Sequence, residues 1–322
     1  MLCPRASATG ARALVAALIA TSPVACSRGT PAPTTLAEAR RTLQPHLARA
    51  PDARPPAPAP PPGILEKVTF AGPLGQYEAY ASPVGAQRRP AIVWIAGGFE
   101  WGLDASAWRT PDRDNDQTAR AFREAGMVLM LPALRGNNGS PGDREYFVGE
   151  VDDVLAAVAY VRARPDVDPA RVYLGGHSTG GTLALLAAAS GLDVRAVVAF
   201  GPVDDVRGYG KSVPFELDEA QARARSPVFW MHLIRAPTWV IEGARQGNAD
   251  VFPVLRRASA SAPVSFHAIT EGDHFDVLAP LTEHLARKMM ADAGPPSALS
   301  LSEGELEQAF VRGRVSTSTE AN

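Results

Sequence analysis

The chain has 322 residues, 46% hydrophobic and 20% charged, with 32 basic against 34 acidic side chains and a formal net charge of −2. That apolar share suffices for one sizeable core and excludes wholesale disorder, which needs low hydrophobicity and high net charge. The near-neutral balance lacks the basic face of a nucleic-acid binder. Cys3 and Cys26 are the only cysteines, so no disulfide or cysteine-based zinc site is expected in the body of the chain.

Residues 1–26 read as an export signal, in which Arg5 and Arg12 form a positive region before an apolar run over residues 13–20 that is too short to span a bilayer. Its end, Val24-Ala25-Cys26-Ser27, resembles a bacterial lipobox, with Pro23 where that pattern prefers an aliphatic residue. The resemblance implies lipidation of Cys26 and a cell-envelope protein held at the membrane by its N-terminus; plain secretion is the alternative. Residues 27–63 read as a Pro/Ala-rich tether, since seven of the twelve residues 51–62 are proline and favour an extended chain. Thr35-x-x-Glu38 is suited to cap a short helix there. Residues 294–322 are expected as a flexible tail, with one or two helical turns after a Ser302-x-x-Glu305 box.

Between these ends, residues 64–293 alternate strand and helix. A hairpin is expected over residues 67–70 and 76–81. Apolar runs of strand length follow at 91–96, 127–131, 171–174, 196–200, 238–241 and 264–269. Helical stretches separate them at 116–125, 148–164, 180–190, 252–261 and 280–293. Short buried strands alternating with amphipathic helices predict one α/β domain: a mostly parallel, doubly wound sheet covered on both faces. Residues 204–235 are too long for a turn and are expected to form a short cap.

The strand at 171–174 runs into Gly175-Gly176-His177-Ser178-Thr179-Gly180-Gly181, and a small-residue helix follows. Gly-x-Ser-x-Gly between a strand and a helix marks a nucleophile raised on a sharp turn, whose neighbours must lack side chains. Ser178 is therefore the candidate nucleophile, and it needs a base. Among six histidines, His274 lies in Glu271-Gly272-Asp273-His274-Phe275, between the last strand and the last helix. That is the edge where an open parallel sheet gathers its functional loops. The acid that orients the imidazole is expected after strand 238–241. Asp250 is preferred, with Glu242, Asp273 and Asp276 left open; Asp250 would also serve as a plain helix cap. Oxyanion donors are expected from the backbone of Thr179 and of Gly98 or Phe99. Candidate pocket walls are Trp101, Tyr209, Phe215 and Trp230, each of which would also fit ordinary core packing.

Together these residues resemble the α/β-hydrolase superfamily, and within it the catalytic domain of the prolyl oligopeptidase family. Further points of likeness are Leu134-Arg135-Gly136-Asn137, Val151-Asp152-Asp153-Val154, Val167-Asp168-Pro169-Ala170-Arg171, Arg225-Ser226-Pro227 and Asp273-His274-Phe275. Departures are Ala96, where the family can carry a tyrosine before Gly-Gly-Phe, and a loop that delays Asp250 by four residues. The 37 residues from Ser27 to Gly63 are also too few for the family's β-propeller. The resemblance implies a serine hydrolase that cleaves ester, thioester or short peptide bonds of small acyl substrates through an acyl-enzyme. The alternative is a surface-anchored binding protein that keeps the fold. No cofactor or metal site is expected, because the histidines are scattered and Ser178 breaks the glycine pattern of a dinucleotide fingerprint.

Overall fold

A computed structural model describes residues 33–48, 55–295 and 297–320. The export segment, Cys26 and part of the proline-rich run lie outside the described residues. In chain order the elements are α1 (Leu36–Thr42), β1 (Glu66–Gly72), β2 (Gly75–Ala81), β3 (Arg89–Ile95), α2 (Arg120–Glu124), β4 (Val128–Pro132), α3 (Glu150–Ala163) and β5 (Val167–His177). There follow α4 (Thr179–Ala189), β6 (Ala196–Phe200), α5 (Glu219–Arg225), β7 (Thr238–Gly243), α6 (Phe252–Ala258), β8 (Val264–Ile269), α7 (Leu278–Ala291) and α8 (Glu303–Glu320).

The eight strands form one sheet in the order β1-β2-β4-β3-β5-β6-β7-β8. β1 and β2 form the expected antiparallel hairpin, β2 meets β4 antiparallel, and every later pairing is parallel. Successive side chains of a strand point to opposite faces, and the core divides accordingly. Ala91, Val93 and Ile95 of β3 enter one cluster with α3 and α4, while Ile92 and Trp94 enter the other with α2 and α7. The sheet is therefore covered on both faces, as the alternation of elements predicts.

Helix α2 is shorter than the pattern suggests. Asp116 Oδ1 accepts from the N–H and hydroxyl of Thr118, and Ala119 then turns left-handed (φ 52°), so the helix starts only at Arg120. The cap between β6 and β7 forms as expected, from a 3-10 segment at Val206–Ser212, α5 and two further 3-10 turns.

Both flanks differ from expectation. Part of the tether belongs to the body: α1 has the Thr35/Glu38 capping box, and Leu36 and Ala39 are buried in the core. Ala57 is buried as well, its N–H donating to Glu78 Oε2 at 2.7 Å. The segment expected as a tail is an 18-residue helix, α8, packed on α7 and β8. Leu306, Ala309 and Phe310 anchor it in the second cluster. These apolar positions are few, which is why the polar composition masks them. Arg195 and Ser297 close the join by binding Asp292, at 2.7 and 2.7 Å.

Replacing Phe310, 1% exposed, with alanine is expected to cost about 3–5 kcal/mol of stability, as for a core aromatic. Urea denaturation checks this; a loosely attached tail would leave the midpoint unchanged.

Candidate active site

β5 ends at His177, and Ser178 takes up φ 53° and ψ −117° before α4 begins at Thr179. A non-glycine residue in this region is strained and persists only where its surroundings hold it. Here the Ser178 N–H donates to Phe200 O of the neighbouring strand at 2.8 Å. The flanking glycines are required by contact. A Cβ on Gly176 would stand 2.4 Å from Gly180 O, one on Gly180 2.1 Å from Ile95 O, and one on Gly181 2.5 Å from Phe200 O. Ser178 is thus raised between β3 and β6 at the carboxyl edge of the sheet. Its hydroxyl makes no hydrogen bond among the described residues, and catalytic hydrogen bonds are often open before substrate arrives.

His274 reaches the same edge from the loop after β8. Asp273 Oδ1 accepts from the N–H groups of Phe275 and Asp276, and Asp276 Oδ1 accepts from Asp273 N–H, so two of the open acid candidates build the turn that carries the imidazole. His274 Nδ1 lies 2.7 Å from Glu242 Oε2, and Glu242 is fully buried. The same carboxylate accepts from Gly243 N–H at 2.7 Å and Asn248 N–H at 3.0 Å. Asp250, the preferred acid in the sequence, is exposed on a 3-10 turn, and its side chain has no hydrogen bond or ion pair among the described residues. The structure therefore corrects that choice: the carboxylate on the imidazole is Glu242. The reason is steric. Gly247 and Gly201, both at positive φ, leave room for the longer side chain, since a Cβ on either would stand within 2.7 Å of Glu242 atoms.

His177 ties the two sides of the site together. Its Nε2 lies 2.9 Å from the His274 carbonyl oxygen, and its ring centroid is 4.5 Å from that of His274. Burial, with His274 nearby, pushes its pKa down to about 3, so the ring is neutral. Its Nδ1 lies 3.0 Å from Gln117 Oε1, which also accepts from Gly97 N–H at 2.8 Å. Gln117 gave no signal in the sequence, because a lone glutamine in a polar stretch has no pattern.

The loop after β3 is held to α4 by a hydrogen bond from the Thr179 hydroxyl to Gly98 O. Gly98 has φ 86°, a conformation that glycine adopts without strain. As the first residue of α4, Thr179 offers an N–H that has no partner one turn back in the helix. The Phe99 ring meets Trp101, Tyr146, Phe147 and Tyr209, at centroid distances between 5.2 and 6.0 Å. Tyr209 stacks on Phe147 and bonds Thr182 of α4 at 2.7 Å. Phe215 packs edge-on to Tyr146 at 5.5 Å. Trp101, Tyr209 and Phe215 therefore gather near the loop, whereas Trp230, expected as a pocket wall, is fully buried with Nε1 donating to Arg223 O. Core packing claims it.

Tyr146 and Phe147 were not anticipated from sequence. Both have positive φ (51° and 76°), held because Glu150 Oε1 accepts from the N–H groups of Glu145 and Tyr146. Burial pushes the Glu150 pKa up to about 7; Arg135 opposes the shift and Asp153 adds to it.

A sequence profile of the prolyl oligopeptidase family matches residues 114–227. Over 149 residues, 40% of this chain, the sequence is 26% identical to the uncharacterized peptidase YtmA of Bacillus subtilis (strain 168), covering 56% of it. An acylaminoacyl peptidase from Pyrococcus horikoshii superposes with a TM-score of 0.58 at 12% identity, over 75% of this chain and 43% of that one. For an esterase from Pyrobaculum calidifontis the TM-score is 0.52 at 18% identity, over 80% and 88%. The chain thus spans little more than half of the curated relative and less than half of the acylaminoacyl peptidase. The fold is that of the α/β-hydrolases, and the chain resembles the catalytic domain of the prolyl oligopeptidase family. Among the described residues all eight strands lie in one sheet, and there is no propeller. The likeness supports a hydrolase.

Glu150 makes stability depend on pH. The unfolded chain ionises this group near its ordinary value of 4.5, the folded one only near 7, so its contribution to stability falls as pH rises through that window. Glu150→Gln keeps the acceptor and removes the charge. Thermal melts should place the variant level with the parent at pH 4 and several degrees above it at pH 8; equal melting points at pH 8 would refute this.

Proposed function

We propose that the protein is a serine hydrolase acting on ester, thioester or short peptide bonds, with Ser178 as nucleophile, His274 as base and Glu242 as the orienting acid. The observation that carries this reading is the buried Glu242–His274 contact at 2.7 Å, set beside a serine on a strained strand-to-helix turn. A buried carboxylate on Nδ1 fixes the tautomer and leaves Nε2 as the proton acceptor.

In the proposed reaction the Ser178 Oγ proton passes to His274 Nε2 as the Oγ–carbon bond forms. Glu242 stabilises the resulting imidazolium without taking its proton. The oxyanion is met by the Thr179 N–H at the start of α4 and by the Gly98 or Phe99 N–H. His274 then gives its proton to the leaving oxygen, sulfur or nitrogen as the bond from carbon to that atom breaks. Water, deprotonated by the same imidazole, releases the acyl group and restores the serine. Tyr209 and Phe215, beside the Gly98–Phe99 loop, form the wall proposed for the acyl side. In keeping with its signal-like N-terminus, the protein is proposed to be exported and lipidated at Cys26.

A fluorophosphonate probe is expected to label the parent and not Ser178→Ala; a folded parent that resists labelling would favour the binding-protein alternative. Glu242→Gln should lower kcat by about 10³–10⁴-fold, while Asp250→Asn stays within a few-fold of the parent. The reverse pattern in ester-hydrolysis kinetics would return the role to Asp250. Cys26→Ser should move the protein out of the membrane fraction, and unchanged fractionation would exclude the anchor.

A further inference from the structure

A cavity of about 330 Å³, near the lower end of small-molecule sites, lies against the loop after β3. Ile95, Ala96, Trp94, Trp101, Leu103 and Gln117 are among the residues that line it. Gln117 connects it to the site. The Gln117 Oε1 and Ser178 Cβ lie 3.0 and 3.2 Å from the one point where a Gly97 Cβ would stand, so the cavity wall comes within one residue's width of the nucleophile. Gln117 also touches His177, whose ring lies beside His274.

We propose that this cavity receives the leaving group of the substrate, and that the group is a bulky, uncharged aryl or alkyl alcohol or amine. The inference rests on the hydrolase reading above, because it takes its direction from His274. The leaving atom must lie next to the imidazole that protonates it, and the cavity is linked to that side through Gln117, which lines it and touches His177. The Phe99, Phe147 and Tyr209 cluster, bonded to α4 through Thr182, lies toward the acyl side instead. Size and walls select an apolar body. Charge selects a neutral one: the lining holds one cation, Arg109, and one carboxylate, Asp104, both exposed.

Two ester series separate the two pockets: acetates of methanol, cyclohexanol and 2-naphthol, and methyl esters of acids of matching size. The parent should prefer 2-naphthyl over methyl acetate by tenfold or more in kcat/KM, after correction for the intrinsic reactivity of each ester. Ala107→Phe, which fills the cavity from the half-buried 3-10 turn at Ala105–Trp108, should cut that preference at least tenfold and leave the order of the methyl esters intact. Leu103→Ala, which widens the cavity, should extend the preference to larger alcohols. If Ala107→Phe instead reorders the acyl series, or alters neither, the assignment is wrong. Binding provides a readout independent of turnover: 2-naphthol should quench tryptophan fluorescence in Ser178→Ala, and adding Ala107→Phe should abolish the quenching. Quenching with no hydrolysis by the parent would overturn the hydrolase reading and leave the cavity's ligand class standing. Absence of quenching would overturn the cavity.

Discussion

The site depends on how closely one turn of chain approaches its neighbours. Between β5 and α4 the backbone passes so near the ends of β3 and β6 that three glycines have no room for a methyl group, and the residue they flank is driven to positive φ. Such a conformation is unfavourable alone and is tolerated because a parallel sheet, packed on both faces, over-determines it. The central strand β5 lies between β3 and β6, and those two strands lead into the loops that carry Gly98 and Gly201. The geometry around the serine is therefore a property of the sheet rather than of the motif alone.

A second level of organisation joins loops that are far apart in sequence. Gln117, His177 and the His274 carbonyl form a connected line from the segment after β3, through the last residue of β5, to the loop after β8. On the other side, Glu150 at the start of α3 fixes the turn that presents Tyr146 and Phe147 to Phe99. Buried polar groups are costly unless satisfied, so each of these contacts specifies one arrangement of its loop. Desolvation of His177 matters here as well. A neutral ring places no positive charge beside the imidazole proposed to become cationic.

Much of this was legible in the chain, and the reasons are local. Strand and helix alternate with clear periods, the elbow is contiguous from Gly176 to Gly180, and His274 sits in a short loop between two well-marked elements. What escaped was set by the path of a loop. The position of Glu242 at the end of β7 looked too early for the acid, but the chain folds back at once. Gly243 lies so close to Asp273 that a Cβ would stand 2.4 Å from its backbone, and this brings the imidazole to the strand end. Trp230 could not be told from a pocket residue, because an aromatic in an apolar run suits both roles. Sparse anchors hid α8: among the described residues three buried side chains, Leu306, Ala309 and Phe310, hold a helix whose other residues are mostly polar.

That helix does more than cover the sheet. Arg314 near its end bonds Asp276 at 3.2 Å, and Glu307 accepts from both the N–H and the hydroxyl of Thr270 at 2.7 Å. Thr270 and Asp276 bracket the turn that holds the imidazole, so its setting is partly written forty positions downstream. A clipping protease, a fused partner or a frameshift beyond Glu303 would reach that ring without entering the cleft. Inheritance of an intact site accordingly requires inheritance of the terminal helix.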